Sequence, residues 1–82
     1  MKFVELTEAI VKELVSDPES VTVKEFPSED ENTITIQVMV PESEMGRVIG
    51  KEGRTAKSLR TIVQASAYIN GNKRVNISID SY

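Results

Sequence analysis

Gly50 and Gly53 stand three apart, with Lys51 and Glu52 between them and Arg54 directly after, in a chain that offers little other chemistry. Glycine tolerates positive φ and lets another molecule approach the backbone closely. Where a second glycine opens a helix, the first amides of that helix lack intrahelical acceptors and carry partial positive charge, a seat for a phosphate. Lys51 and Arg54 add two flexible cations at the same place. Glycines also join helices for steric reasons alone, so the neighbours decide. Val48 and Ile49 precede the loop and are suited to wall a small apolar groove. Arg47, Lys51, Arg54, Lys57 and Arg60 fall within fourteen positions, opposed only by Glu52.

That cluster sits in an acidic chain. The 82 residues carry a net charge of −3, but the charge is divided. Residues 1–46 hold eleven acidic and three basic groups, whereas residues 47–82 hold two acidic and seven basic ones. Such asymmetry points to one polyanion-facing surface.

Other chemistry is poorly served. There is no cysteine or histidine, so thiolate sites, disulfides and the usual general base are missing. Gly46, Gly50 and Gly53 do not form Gly-x-Gly-x-x-Gly after a strand, and no Gly-Lys-Ser/Thr phosphate loop occurs. Ser58 and Ser66 have no histidine to activate them. An enzyme is therefore not expected, nor a cofactor, a small-molecule substrate or a metal. Apolar runs are far too short to span a bilayer, and the start does not resemble a signal peptide. A cytoplasmic protein of one domain, residues 1–82, is expected.

The elements that must position the loop read clearly. Phe3, Leu6, Ile10 and Leu14 follow helical spacing, predicting a helix over residues 2–16 that stops before Pro18. Val21 and Val23, with Phe26 as a further candidate, mark a short strand. Residues 27–32 form a polar turn, and Ile34, Ile36, Val38 and Val40 alternate as a second strand. The link is too short for a crossover, so the two strands pair antiparallel. Ser43 is a plausible cap for a short helix ending at Gly50. A third helix covers residues 54–70, with Ala56, Leu59, Val63 and Ala67 on its core face. Val75, Ile77 and Ile79 alternate in a last strand. The order is helix–strand–strand–helix–helix–strand, an α+β fold with a three-stranded sheet and three helices on one face.

At about 100° per residue from Ala56, Arg60 falls at about 40°, Lys57 at about 100° and Arg54 at about 160°. This basic strip leads away from the loop. Single-stranded RNA fits such a strip through its phosphates. Ile62, Ala65 and Ile69, at about 240°, 180° and 220°, widen the apolar stripe beyond what one sheet must cover. The aromatics Phe3, Phe26, Tyr68 and Tyr82 are scattered, and no stacking platform is expected among them.

The run Gly46-Arg47-Val48-Ile49-Gly50-Lys51-Glu52-Gly53-Arg54-Thr55-Ala56-Lys57-Ser58-Leu59-Arg60 resembles the signature of KH domains, where Val-Ile-Gly-x-x-Gly joins two helices. The element order is that of type II, and the resemblance extends over nearly the whole chain, most closely to small bacterial members. It implies that residues 50–53 clamp the backbone of about four nucleotides of single-stranded RNA. Val48 and Ile49 would form one groove wall, and the strand around Val75 and Ile77 the other. It further implies a homodimer, for which Ile62, Ala65 and Ile69 offer a surface, and partnership with KhpB (Jag), a larger KH-containing protein. Roles as an RNA chaperone or post-transcriptional regulator, linked to cell elongation and envelope control, follow from the same resemblance. The competing expectation is a protein-interaction scaffold that binds no RNA.

Overall fold

The computed structural model describes residues 3–28 and 30–82. Lys2, where the first helix was expected to begin, and Glu29 of the acidic turn lie outside the described residues. Helix α1 runs Phe3–Leu14, strand β1 Thr22–Phe26 and strand β2 Thr33–Val40. A short helix α2 follows at Met45–Ile49, then helix α3 at Arg54–Ile69 and strand β3 at Arg74–Ser81. Three-residue 3-10 turns sit at Pro18–Ser20, Glu42–Glu44 and Lys51–Gly53. The order of major elements is the one expected.

The sheet runs β1-β2-β3. β1 and β2 pair antiparallel with Val23 opposite Val38, and β2 and β3 pair parallel with Ile36 opposite Ile77. The parallel pairing follows from topology, since both central helices lie in the connection and leave room for a crossover. Alternation puts Val23, Ile36, Val38, Val40 and Ile77 on one face, where all are buried. Phe26 has the opposite parity to Val21 and Val23, and it is exposed. The helices cover the apolar face with Phe3 and Val11 of α1, Val48 of α2, and Leu59, Val63 and Ala67 of α3. Each large side chain so buried contributes about 1.5–3 kcal/mol.

α1 ends at Leu14, slightly earlier than expected. Ser43 caps nothing, for neither the turn Glu42–Glu44 nor α2 has a side-chain cap. The neighbouring carboxylate explains this stretch instead. Glu44 is buried, and its Oε2 accepts hydrogen bonds from Ser16 N (2.7 Å), Ser16 Oγ (3.0 Å) and Asp17 N (3.1 Å). Its Oε1 pairs with Arg47 Nε at 3.4 Å. One side chain thereby ties the end of α1 to the start of α2, and so holds the helix that enters the glycine loop.

Burial by itself would raise the Glu44 pKa, but the Asp17 amide, the Ser16 hydroxyl and amide, and Arg47 together hold it below the ordinary 4.5. A depressed carboxylate stabilises the fold above its unfolded pKa, and that stability is lost as pH falls through the folded value. Glu44→Gln should therefore melt roughly 5 °C lower at pH 7. It should also lose less further stability than the parent below pH 4.5. Melting curves by circular dichroism from pH 7 to pH 3 check this; parallel pH profiles would refute it.

Candidate nucleic-acid interface

The loop's backbone is set by residue type. Gly50 adopts φ 76°, ψ 175°, and Gly53 adopts φ 76°, ψ 11°, which opens α3. Side-chain-bearing residues avoid the Gly50 conformation almost entirely. A Cβ there would also meet the Thr55 hydroxyl, lie 2.6 Å from Thr55 Cβ and 2.9 Å from Thr55 N. Glu52 takes the left-handed conformation as well, at φ 58° and ψ 24°. Positive φ at three of the four loop positions turns the chain sharply between α2 and α3 and leaves the loop backbone open to approach. Lys51 and Glu52 both point to solvent. Glu52 is not an unopposed negative charge, because its Oε2 lies 3.3 Å from Arg54 Nη2 in an exposed pair.

From the loop, α3 carries Lys57 and Arg60 along one wall of an open groove of about 470 Å³, with Val75 of β3 facing them. Among the described residues β3 pairs only with β2, so its other edge is turned toward this groove. Two side chains of α3 engage that edge. Gln64 donates from Nε2 to the Lys73 carbonyl (2.9 Å) and accepts from the Val75 amide at Oε1 (2.9 Å). Its amide thus does for β3 what one residue of a further parallel strand would do. Arg60 donates from Nε to the Ile77 carbonyl at 3.3 Å, which fixes the guanidinium on the groove's rim.

The structure gathers most of the expected residues and separates two. Lys51, Arg54, Lys57 and Arg60 form a continuous exposed strip from the loop, and Val75 stands across from it. Arg47 lies beside the strip, its Nε turned to Glu44 and its side chain still 60% exposed. Ile49 is half-buried next to Gly50. Val48 does not face the groove: at 0% exposure it is a core residue, and it supports the loop from beneath. Ile77 is likewise buried, and only its backbone reaches the groove side. The reason is shared, for both lie on the face of their element that packs between sheet and helices. Tyr68, not expected here, lines the groove together with Lys57 and Arg60. The signal was present, since 100° spacing puts Tyr68 at about 120° from Ala56, inside the basic arc.

A left-handed glycine turn between two helices, set against the open edge of a mixed three-stranded sheet in the order α-β-β-α-α-β, defines a KH domain of type II. Two solved structures share the fold. Era in complex with MgGDPNP and nucleotides 1506–1542 of 16S ribosomal RNA superposes with a TM-score of 0.68 at 19% identity. That match covers 96% of this chain and 29% of the Era chain. A variant of Aquifex aeolicus Era bound to GDP.AlF4- gives 0.70 at 19% identity, over 98% and 30%. This chain thus spans under a third of either Era chain.

Sequence relatives match over nearly their whole length. The RNA-binding protein KhpA of Clostridium perfringens is 47% identical over 75 residues, covering 92% of this chain and 96% of that protein. KhpA of Listeria monocytogenes is 43% identical and that of Thermotoga maritima 39%, each covering 92% of this chain and 95% of the relative. The KhpA/KhpB KH-domain model matches residues 4–79, and the chain belongs to that family. It is a family of binding proteins and not of enzymes.

Proposed function

We propose that this chain binds single-stranded RNA, holding about four nucleotides with the backbone of residues 50–53 and the cationic strip behind them. The observation that carries the reading is the strip itself. Lys51, Arg54, Lys57 and Arg60 run in line from a glycine turn along a groove beside an open strand edge, in a chain otherwise acidic. The KhpA relatives of Clostridium perfringens and Listeria monocytogenes are called RNA-binding proteins, which supports the same reading. Phosphates lie along Lys51 and Arg54, and Ile49 and Val75 give the bases an apolar surface. Two of the strip's charges have competing partners, Glu52 for Arg54 and the Ile77 carbonyl for Arg60. Affinity for one copy is accordingly modest.

Two copies linked in one assembly would gain by avidity. Ile62 and Ile69 are 51% and 83% exposed, with Ala65 exposed between them, and this face of α3 suits a second copy or the KH domain of KhpB (Jag). Among the described residues, no helix is long and apolar enough to cross a membrane. The corresponding cellular role is that of an RNA chaperone or post-transcriptional regulator in the cytoplasm, tied to cell elongation and envelope control. The rival scaffold role needs the same α3 face but no cationic groove.

Salt dependence and a loop variant separate the two. Neutralising about three phosphates gives a log–log slope of affinity against salt near −2. Lys51→Asp with Glu52→Asp replaces the loop's one cation with a second anion and leaves the fold intact. RNA affinity by fluorescence anisotropy should drop about tenfold or more, because a phosphate now faces two carboxylates. Unchanged affinity in the folded variant would sink the assignment of the loop.

A further inference from the structure

The groove along α3 does not stop at Val75. Tyr68 is 54% exposed and belongs both to the groove beside Lys57 and Arg60 and to a second, polar one of about 480 Å³. The second groove runs between the β1–β2 turn and the α3–β3 turn, and it is lined by Asn32, Asn72 and Arg74 among others. We propose that Tyr68 is a stacking platform for a base of the same RNA strand beyond the loop-held nucleotides, so that the binding surface bends past Tyr68 toward Arg74. This rests on the RNA-binding reading and extends it.

Distance comes first. From Arg54 to Tyr68 the helix advances about 21 Å at 1.5 Å per residue. A stacked strand advances about 3.4 Å per nucleotide, and an extended one more. Four stacked nucleotides anchored at the loop therefore cover about 14 Å and finish short of Tyr68. A stacked strand meets the ring at about its sixth nucleotide, an extended one sooner.

Charge and chemistry agree. Lys57 and Arg60 precede Tyr68 along the path and Arg74 follows it, so phosphates on either side of a stacked base have cations to meet. Among the described residues lining the second groove Asp30 is the negative group, and its carboxylate is turned inward on the turn. Oδ1 accepts from Asn32 N at 2.8 Å and Oδ2 from Thr33 Oγ1 at 3.1 Å. The Lys73 ammonium donates to the Glu31 carbonyl at 2.6 Å, fastening that turn to the start of β3. The walls around Tyr68 are thus held in place before any ligand arrives. Base–aromatic stacking is tolerant of sequence, because every base has a π-face.

Titration with tetraadenylate and octaadenylate, followed by NMR, tests this. In the parent protein both oligomers should shift the Gly50 and Gly53 amides, and only the octamer should move the Tyr68 ring protons upfield. Tyr68→Ala should weaken octamer binding about tenfold while leaving the tetramer within twofold, and Tyr68→Trp should restore the octamer. Equal losses for both lengths, an unmoved ring, or unchanged octamer affinity would each overturn the proposal while leaving the loop assignment standing. A Tyr68→Ala variant whose sedimentation changes would assign the ring to a protein contact and overturn it too. Failure of either oligomer to shift the glycine amides would overturn both readings together.

Discussion

Gly50→Ala is expected to lower the unfolding free energy by about 2–4 kcal/mol, adding the strain of a side chain at this backbone conformation to a clash in a packed turn. In a small domain with on the order of 5 kcal/mol in hand, that is most of its stability. The three nearest atoms all belong to Thr55, and one of them is its backbone nitrogen, so the start of α3 itself must shift. RNA affinity should fall at least tenfold with it, because the displaced segment is the one proposed to hold phosphate. Urea denaturation of three variants separates the causes. Gly46→Ala, with nothing within 4 Å of the new methyl, should be neutral or stabilising by up to about 1 kcal/mol. Gly50→Ala combined with Thr55→Gly should recover the part of the loss due to the Thr55 side chain, but neither the contact with the residue 55 nitrogen nor the part due to φ. If Gly50→Ala cost no more than Gly46→Ala, the account of the loop would be wrong.

Ile62→Asp is expected to convert a dimer to monomers without unfolding the chain. Ile62 is half exposed in the isolated protomer, so a carboxylate there is solvated and costs the monomer little. In a dimer built on Ile62, Ala65 and Ile69 the same carboxylate would be buried without a partner, a penalty of several kcal/mol counted once from each subunit in a symmetric interface. The dissociation constant should rise at least about a hundredfold. Sedimentation velocity at tens of micromolar reads the change, with circular dichroism as the check on folding. Binding of a long RNA should weaken through lost avidity, whereas a short oligonucleotide held by one copy should bind as before. A folded variant still sedimenting as a dimer would remove this face of α3 from the interface.

Much of the fold was legible because local signals and tertiary placement agree. The even-numbered apolar positions of β2 and the Ala56–Leu59–Val63–Ala67 stripe of α3 point where the sequence periodicity sends them. Ser43 shows where local reasoning fails. A helix cap there was sound on propensity, but the buried Glu44 carboxylate makes its bonds across 27 and 28 residues of sequence. No window along the chain contains both partners. Val48 fails for a related reason, since a helix of five residues is too short for periodicity to say which side faces the core.

The glycine turn, its cations and the acidic remainder of the chain were fixed by residue type alone, because positive φ and formal charge are properties of single residues. The order of elements followed from periodicity for the same local reason. What only tertiary structure decided is what lies opposite the loop. Parallel pairing leaves one edge of β3 unpaired, and α3 crosses it so that Gln64 and Arg60 reach backbone atoms 9 to 17 residues away. That crossing also brings Tyr68 from the end of α3 to the corner between the two grooves. The sequence contains the ring, but only the packing of helix on sheet gives it neighbours.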